Sequence, residues 1–301
     1  MNKLLDILNG FARRDQVLVN EPMSRHATFR VGGPADALFL PEGEDQLIAA
    51  LSAAREAGVD AFVIGNGSNL IVRDGGVRGL VIAIGEGMSG IRREDDTVVA
   101  QAGASLARVA GFAQGEGLSG LEFASGIPGT LGGGCAMNAG AYGGQLSDVL
   151  IDARVLLADR IVTLDRGGMA MGYRTSLPLR TGGIVLSARF ALTPDDPAAI
   201  LERMKDLNAR RRDKQPLNLP SAGSTFKRPE GHFAGALIEQ AGLKGRSVGG
   251  AQVSEKHAGF IVNTGGATAA DVLALIRLVQ DEVQARSGIR LETEVRVLGE
   301  D

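Results

Sequence analysis

Apolar residues recur along this chain with the periods of helices and strands in alternation. Glu44 to Ala57 carries Leu47, Leu51 and Ala54 on one face and is followed by Gly58, which is typical of an amphipathic helix and its end. By the same reasoning, strands are predicted at 28–33, 35–41, 61–65, 97–102, 183–192 and 289–299, pairs of strands within 70–85 and 153–164, and helices at the N-terminus, at 105–114, 197–213 and 233–241, and from Thr268 to Gly288. The chain is therefore predicted to be an α/β protein.

The clearest boundary is the segment Thr193–Pro197, which contains two prolines and two aspartates. Asp196 can cap a new helix whose first residue is Pro197. We therefore predict an α/β N-terminal half up to residue 195 and a smaller α/β unit from about residue 196. In the last strand, Leu291, Thr293, Val295 and Val297 are predicted on one face and Glu292, Glu294 and Arg296 on the other.

Composition excludes several classes of function. The 301 residues suit two or three packed units, and a formal net charge of −3 gives no electrostatic footprint for nucleic acid. The single cysteine, Cys135, excludes an internal disulfide framework and a multi-cysteine zinc site, and it fits a reducing compartment. Asp6 interrupts the apolar N-terminal pattern, and no apolar run could span a bilayer. We expect a cytoplasmic protein that binds no metal and no membrane, with a monomer favoured.

A glycine turn follows the strand at 61–65 and reads Gly65-Asn66-Gly67-Ser68-Asn69. It resembles the dinucleotide fingerprint G-x-G-x-x-G, but Leu70 occupies the third glycine position, and strands rather than a helix follow. The turn can still bind phosphate, because consecutive backbone N–H groups can point into one concavity. A tight connection between strands explains it equally well at this stage.

The stretch from Ser125 to Gly144 is rich in glycine, contains apolar side chains and carries no charge. Flexible linkers interleave glycine with polar residues, so this segment is not a solvated tether. Its glycines are better explained by close backbone approach and positive φ. We predict a loop that lies against a large, flat molecule with polar edges, in preference to a loop packed only on protein.

A cluster of cations, Arg210, Arg211, Arg212 and Lys214, ends the helix predicted at 197–213. A basic last turn complements the helix dipole. Four cations in five positions exceed that requirement, which suggests an anionic ligand nearby.

Seven stretches together resemble the family of UDP-N-acetylenolpyruvoylglucosamine reductases, enzymes of bacterial peptidoglycan synthesis, cell-wall biogenesis and cell division. They are TFRVGGPAD (28–36), GNGSNLIV (65–72), GIPGTLGGGCAMNAGAYGG (126–144), GYRTS (172–176), KQPLNLPSAGSTFKRP (214–229), VSEKHAGFIVN (253–263) and LETEVRVLG (291–299). The match covers nearly the whole chain in order. Because SAGSTFKRP follows KQPLNLP directly, the short form of the family, which lacks a tyrosine loop over the substrate, fits better.

This resemblance implies a two-lobed FAD-binding fold of the vanillyl-alcohol-oxidase (PCMH) type, with lobes at 1–85 and 86–195, followed by a smaller C-terminal α/β substrate-binding domain at 196–301. It implies non-covalent FAD, so that Cys135 is a packing residue, and it implies that the last strand returns to the flavin site. The residues expected to bind FAD are Gly65, Asn66, Gly67, Ser68, Asn69, Gly126, Ile127, Pro128, Gly129, Gly132, Gly133, Asn138 and Gly140.

The implied reaction uses NADPH to reduce FAD and the reduced flavin to saturate an enolpyruvyl ether of a UDP-sugar. By the same resemblance, Arg174 binds the substrate carboxylate, Ser224 donates a proton and Glu294 is the third catalytic residue. Tyr173, Lys214 and Arg228 are expected to bind substrate, the two cations through a diphosphate. Without the resemblance, Arg174 could form a strand-end salt bridge, Ser224 could be a turn hydroxyl that bonds backbone, and Glu294 could be an exposed strand carboxylate.

Two other functions remain open at this point. A different FAD oxidoreductase of the same fold could oxidise an alcohol with oxygen. The absence of an evident covalent flavin anchor and the presence of the Arg–Ser–Glu set oppose it. A non-enzymatic flavin- or nucleotide-binding module would have no use for a substrate domain with its own basic cluster.

Overall fold

Helices and strands alternate throughout the computed structural model, which describes residues 1–301. The helices are α1 (Asn2–Asn9), α2 (Glu44–Ala57), α3 (Leu106–Gly115), α4 (Leu131–Ala136), α5 (Leu146–Val149), α6 (Leu177–Thr181), α7 (Pro197–Lys214), α8 (Ala234–Gln240) and α9 (Ala269–Ser287). The strands are β1 (Val17–Pro22), β2 (Pro34–Phe39), β3 (Ala61–Ile64), β4 (Leu70–Val72), β5 (Val77–Ala83), β6 (Ile91–Glu94), β7 (Thr97–Gln101), β8 (Leu118–Ser119), β9 (Gly140–Ala141), β10 (Gly144–Gln145), β11 (Leu150–Leu157), β12 (Arg160–Asp165), β13 (Ile184–Ala191), β14 (Thr193–Pro194), β15 (Ser247–Val248), β16 (Ala251–Val253), β17 (Ile261–Asn263) and β18 (Arg296–Leu298).

The first sheet has the order β1-β2-β5-β3, with β1 antiparallel and the other three strands parallel. Helices α1 and α2 cover it, and Leu4, Leu8 and Leu47 are fully buried in one core with Phe39. Because β2, β3 and β5 run parallel, their carboxyl ends share one edge, where ligands commonly bind in open α/β sheets. The turn at Gly65–Asn69 leaves this edge directly after β3.

The second sheet is antiparallel and has the order β12-β11-β13-β7-β6. Helices α3 and α4 pack their apolar side chains into its core, which contains Leu106, Leu131 and Phe190. Ile200 and Met204 of α7 belong to the same core. Helix α7 therefore joins the second lobe to the unit that follows it.

The C-terminal unit is a small antiparallel sheet, β15-β16-β17, against which α9 packs. The buried stripe of α9 includes Val272, Leu275 and Val279. Both carboxylate oxygens of Asp74 accept backbone N–H groups at the start of α9, at 2.8 Å from Ala269 and 2.9 Å from Ala270. The first lobe thus caps a helix of the C-terminal unit, where a negative charge is favourable.

The last strand returns to the first lobe. β18 runs parallel to β4, pairing Arg296 with Leu70 and Leu298 with Val72. The backbone N–H of Arg296 also donates to the carbonyl of Asn69 at 2.9 Å. The end of the C-terminal unit therefore lies beside the glycine turn.

The predicted strand at 28–33 is wrong. Its backbone turns instead, with Arg30 at φ +57° and Gly32 at φ +122°. Phe29 and Val31 are buried in the core of the C-terminal unit. Their alternation reflects contact with a distant domain, which takes the place of pairing within a sheet.

The predicted alternation of the last strand is also wrong in part, because regular pairing is confined to 296–298. Val297 was predicted on the same face as Leu291 and Val295, but those two are buried and Val297 is 43% exposed. Glu294 was predicted on the same face as Glu292 and Arg296, but those two are exposed, whereas the side chain of Glu294 is only 13% exposed because it turns inward to an arginine. Elsewhere the helix at 44–57, the cap at Asp196 and the pair of strands at 153–164 are confirmed. None of the nine helices is long and apolar enough to cross a bilayer.

Candidate functional site

The two glycine segments that the sequence singled out lie against each other. A Cβ on Gly65 would fall 2.2 Å from Oγ1 of Thr130, and one on Gly129 would fall 3.2 Å from Oγ of Ser68. The backbone N–H groups of Gly65–Asn69 and of Gly129 donate to no acceptor within the chain. A surface lined by such successive free donors is suited to an anionic oxygen group.

Packing within the protein is enough to require glycine at position 67. Its φ is +60°, and a Cβ there would fall 2.0 Å from the carbonyl oxygen of His26 and 2.8 Å from Cα of Ala27. The carbonyl of Gly67 in turn accepts the N–H of Thr28. The turn is therefore packed on residues 26–28 while its N–H groups remain available. Both sequence interpretations, a tight connection and a phosphate-binding turn, are compatible with this geometry.

The central stretch, predicted as a loop, contains the short helix α4. Three consecutive glycines are poor helix formers, but Gly132 and Gly134 lie so close to Ala102 and Leu106 that a Cβ would collide with them. Gly133 is exposed, and a Cβ there would meet only Oγ1 of Thr130, at 3.6 Å. Close approach to the chain's own core thus explains two of these glycines, and Gly133 alone has open space.

The expected positive φ angles in this stretch fall mostly on other residue types. Among its glycines only Gly143 has a positive φ, at +90°, whereas Asn138 and Tyr142 adopt +44° and +53°. Of the remaining residues predicted to bind FAD, Pro128 is exposed, and Gly126, Ile127 and Gly140 are half-buried.

Asn138 is buried, and its amide is committed to the chain. Its Nδ2 donates to Oγ of Ser147 at 3.3 Å and to the carbonyl of Gly172 at 3.1 Å, and its Oδ1 accepts the N–H of Ser147 at 3.0 Å. The bond to Gly172 fixes the tight turn that carries Arg174. The amide of Asn138 is thus bonded within the protein, where it supports the turn that carries a catalytic candidate.

Arg174 and Glu294, predicted as catalytic residues, meet across the site. Nε of Arg174 donates to Oε1 of Glu294 at 2.7 Å, and the two side chains are 22% and 13% exposed. The terminal nitrogens of Arg174 lie 3.4 Å from the carbonyls of Asn138 and Gly140, at the edge of hydrogen-bonding range. Arg174 itself is held at φ +56°, a region that costs a non-glycine residue energy and that recurs at functional sites.

Burial dominates the titration of Glu294. Desolvation raises the pKa of its carboxyl above the ordinary value of 4.5, and the charges of Arg174 and Lys227 oppose that rise only in part. The carboxyl therefore takes up a proton at a higher pH than an exposed glutamate does.

Ser224 lies on the segment that pairs with the one carrying Glu294. The N–H of Glu294 donates to the carbonyl of Thr225 at 2.8 Å, and Phe226 forms a bridge with Thr293. Ser224 is half-buried, and its hydroxyl makes no hydrogen bond within the chain. By contrast, the neighbouring hydroxyl of Thr225 is engaged by the N–H of Ile261. The free hydroxyl and the Arg174–Glu294 pair therefore lie on adjacent segments.

The predicted substrate residues divide into two groups. Tyr173 and Arg228 meet: the Tyr173 hydroxyl accepts the backbone N–H of Arg228 at 3.0 Å, and the guanidinium of Arg228 stacks on Phe233 at 4.5 Å. Lys214 instead stands exposed at the end of α7 and makes neither a hydrogen bond nor an ion pair. It is next to a groove of about 590 Å³, which Arg212, Gln215 and Lys256 line in part.

Sequence reasoning missed one residue of this region, Arg211. It was counted only within the basic cluster, yet its side chain lies against Gly126 of the central stretch. The signal was present, because Ile200, Met204, Asn208 and Arg211 recur at helical spacing on the buried face of α7.

Two family models match this chain. A model of an FAD-binding domain matches residues 35–164, and a model of the C-terminal domain of UDP-N-acetylenolpyruvoylglucosamine reductase matches residues 215–298.

Several known proteins are similar over nearly the whole chain. UDP-N-acetylenolpyruvoylglucosamine reductase of Alkaliphilus oremlandii is 52% identical, covering 96% of this chain and 95% of its own. The enzyme of that name from Agathobacter rectalis is 53% identical and covers 94% of both. The crystal structure of UDP-N-acetylenolpyruvylglucosamine reductase from Thermus caldophilus gives a TM-score of 0.80 at 36% identity, covering 94% of this chain and 98% of that one. These matches confirm the fold class expected from the sequence.

Proposed function

The chain belongs to the UDP-N-acetylenolpyruvoylglucosamine reductase family and is an FAD-dependent oxidoreductase, and from this premise we propose its reaction. The proposed reaction is the NADPH-dependent reduction of the enolpyruvyl ether of UDP-N-acetylglucosamine enolpyruvate to UDP-N-acetylmuramate, a step of peptidoglycan precursor synthesis in the cytoplasm. The observation that supports it best is the partly buried Arg174–Glu294 pair beside a serine whose hydroxyl is free.

The residues at the contact between the two glycine segments, Gly65–Asn69 and the central stretch, fit FAD. The free N–H groups of Gly65–Asn69 and Gly129 suit the diphosphate of FAD, and the open face of Gly133 lets a flat group approach the backbone. FAD, when bound, supplies the hydride chemistry. The chain's own residues bind the substrate, manage its charge and deliver the proton.

Arg174 binds the substrate carboxylate in this proposal. Saturation of the enolpyruvyl double bond sends negative charge onto the carbon beside that carboxylate. A guanidinium offers planar paired donors to a carboxylate, and here only Nε is engaged at short range, by Glu294. The turn fixed by Asn138 holds the remaining nitrogens in place. Such donors act without reorganisation as charge develops.

Ser224 delivers the proton to that carbon. A serine hydroxyl is a weak acid, but an enolate-like carbon is a strong base, so the transfer is feasible at hydrogen-bonding distance. The hydroxyl has no partner in the chain to compete for its hydrogen.

Glu294 holds Arg174 and limits the negative charge near the developing enolate. An ionised carboxylate alone would repel that charge, whereas one that is paired with Arg174, or protonated because its pKa is raised, would not. Glu294 thus belongs to the catalytic set through its contact with the arginine.

We assign substrate binding to residues 196–301 together with Tyr173. Lys214 and Arg228 would bind the diphosphate of the UDP-sugar or of NADPH, since both are cations without an ion pair.

Anaerobic stopped-flow measurement of the two half-reactions tests the proposal. NADPH should bleach the flavin absorbance, and UDP-N-acetylglucosamine enolpyruvate should restore it much faster than oxygen does. Restoration by oxygen alone, with no effect of the enolpyruvyl substrate, would instead support an alcohol oxidoreductase. A protein without bound flavin after purification would contradict both.

A further inference from the structure

The buried face of α7 changes from apolar to polar toward the end of the helix. Ile200 and Met204 belong to the core of the second lobe, and Asn208 and Arg211 continue the same face one turn further on. Nδ2 of Asn208 donates to Oγ of Ser125 at 3.2 Å. The helix thus presents two polar side chains to the start of the central glycine stretch.

Arg211 packs against the backbone of Gly126. A Cβ added to Gly126 would fall 3.1 Å from Cδ and 3.7 Å from Nη1 of Arg211, and 2.5 Å from Oδ1 of Asn208. A side chain at position 126 would therefore displace Arg211 or Asn208. Glycine at this position leaves the guanidinium in contact with the segment proposed to bind FAD.

The side chain of Arg211 is half-buried and has no counter-charge. It forms no ion pair with any carboxylate, and its Nε has no hydrogen-bond partner although it is shielded from solvent. Tyr142 is the titratable group near it, and burial lowers the pKa of Arg211. A buried cation that lacks a partner is strongly destabilising, and such groups are rare unless a ligand supplies the opposite charge.

The other arginines of α7 do not share this situation. Arg210 is exposed and bonds to Asp206 at 2.8 Å, and Arg203 bonds to Glu122 at 2.9 Å and to Asp195 at 2.5 Å. Arg212 also lacks an ion pair, but it is exposed, so Arg211 is the one arginine of this helix that is both shielded from solvent and unpaired. Stabilisation of the helix dipole does not explain why this cation is buried.

We propose that Arg211 is an anion-binding residue of the site, which binds a phosphate group of a nucleotide held against Gly126. The phosphate belongs either to the diphosphate of FAD or to that of the UDP-linked substrate. The second possibility rests on the proposed function, whereas the first rests only on the FAD-binding domain. A guanidinium is well suited to either, because it donates paired hydrogen bonds to phosphate oxygens.

Two binding measurements separate the sources, with Arg211→Met as the test variant and Arg210→Met as the matched control. FAD affinity is measured by titrating apo-protein with FAD, and UDP affinity by calorimetry on the flavin-loaded protein. Arg211→Met should weaken one of the two by about tenfold or more, as expected for the loss of a charge-assisted hydrogen bond. Arg210→Met should leave both within about threefold.

Weaker FAD binding alone would show that Arg211 binds the diphosphate of FAD. Weaker UDP binding alone would show that Arg211 binds the diphosphate of the UDP-linked substrate. Unchanged affinity for both ligands would overturn the proposal. Neither measurement involves turnover, so failure here is distinguishable from failure of the proposed reaction.

The thermal stability of the apo-protein provides a second test. If the role of Arg211 is to bind a ligand, the Arg211→Met variant without FAD should be at least as stable as the wild-type protein without FAD. The variant no longer shields an unpaired charge from water. Inorganic pyrophosphate should raise the Tm of the apo-wild type more than that of the variant. A clearly lower Tm of the apo-variant would show that the guanidinium serves packing, and would also overturn the proposal.

Discussion

Nε of Arg174 donates to Oε1 of Glu294 at 2.7 Å, although 120 positions separate the two residues in the chain. The contact joins a turn of the second lobe to the last segment of the C-terminal unit. The terminal nitrogens of Arg174 have only the carbonyls of Asn138 and Gly140 near them, at 3.4 Å, and Ser224, whose hydroxyl is free, lies on the segment that pairs with the one carrying Glu294. The roles proposed for these residues lead to distinct kinetic expectations.

Ser224→Ala should impair only the second half-reaction. Reduction of the flavin by NADPH needs no proton at the substrate carbon, so its rate should be nearly unchanged. Reoxidation by the enolpyruvyl substrate should slow by about 10²- to 10⁴-fold, the usual contribution of general acid catalysis. Stopped-flow absorbance resolves both steps, with Ser221→Ala on the same turn as control. Equal slowing of both steps would show that the hydroxyl shapes the site without donating the proton.

Arg174→Ala should slow the same half-reaction and also weaken the binding of the enolpyruvyl substrate, by about tenfold or more, because a carboxylate loses its charged donor. Ser224→Ala should leave that affinity close to wild type. The dissociation constant is obtained from the substrate dependence of reoxidation. If the Arg174→Ala variant binds the enolpyruvyl substrate with wild-type affinity, Arg174 does not bind the substrate carboxylate.

Glu294 should give stability a specific dependence on pH. Burial raises the pKa of its carboxyl in the folded state, so the folded protein binds this proton more tightly than the unfolded chain does. The resulting stabilisation is present below the unfolded-state pKa and is lost as the pH rises through the folded-state pKa.

The Tm difference between wild type and Glu294→Gln should therefore move in favour of the variant as the pH rises from about 4 toward neutrality. Glu230→Gln is the control for the loss of one carboxylate and should show no such trend, because Glu230 is exposed and forms no ion pair, whereas Glu292 pairs with Lys227. The opposite slope would mean that Arg174 outweighs burial and that the carboxylate stays ionised.

Gly133→Val tests the wall of the flavin site with little disturbance of the protein. The nearest protein atom to the added Cβ is Oγ1 of Thr130 at 3.6 Å, an ordinary contact. If a flat group lies on this backbone, FAD affinity should fall by at least about tenfold. Gly111→Val is the matched control, since Gly111 lies in α3 with open space around its Cβ position. Equal FAD affinity of the two variants would place the flavin elsewhere.

Gly67 is a poorer choice for this test. A Cβ there would strike the carbonyl of His26 whether or not a ligand is present. Loss of FAD from a Gly67 variant would therefore not separate a phosphate-binding turn from a structural one.

FAD should be released completely by acid precipitation. Cys135, the single cysteine, is fully buried, and burial raises the pKa of its thiol to about 12. A thiol that stays protonated is a poor nucleophile and does not attach flavin. Cys135→Ala should retain the wild-type content of flavin. Flavin that remains in the precipitate of wild type but not of the variant would identify Cys135 as an attachment point.

Features set by neighbouring residues were predictable from the sequence. The helix at 44–57 and the capping box of Thr268 and Asp271 depend on spacing within a few positions, and both are confirmed. The glycine segments were also recognisable, because their composition excludes a linker. Their mutual contact at Thr130 was not, since no local pattern encodes which loops meet.

Features set by distant residues could not be predicted. Phe29 and Val31 alternate like strand residues because they enter a core built from residues 222–295. The inward turn of Glu294 requires Arg174, and the burial of Arg211 requires Gly126. For Phe29, Val31 and Glu294, tertiary contact overrides a period that is correct for the isolated segment. Arg211 instead follows the helical period of α7, and its contact with Gly126 is what no local pattern encodes.

The pairing of β18 with β4 has a consequence for the order of events during synthesis. Strand β4 follows the glycine turn directly, yet the partner along which it pairs is made more than two hundred residues later. A nascent chain that ends before Arg296 lacks the hydrogen bond to Asn69, and the side chain of Glu294 that meets Arg174 is then only just made. We therefore expect FAD to associate with the protein after translation has passed this strand, so that a ribosome-bound chain stalled earlier would emerge without the cofactor.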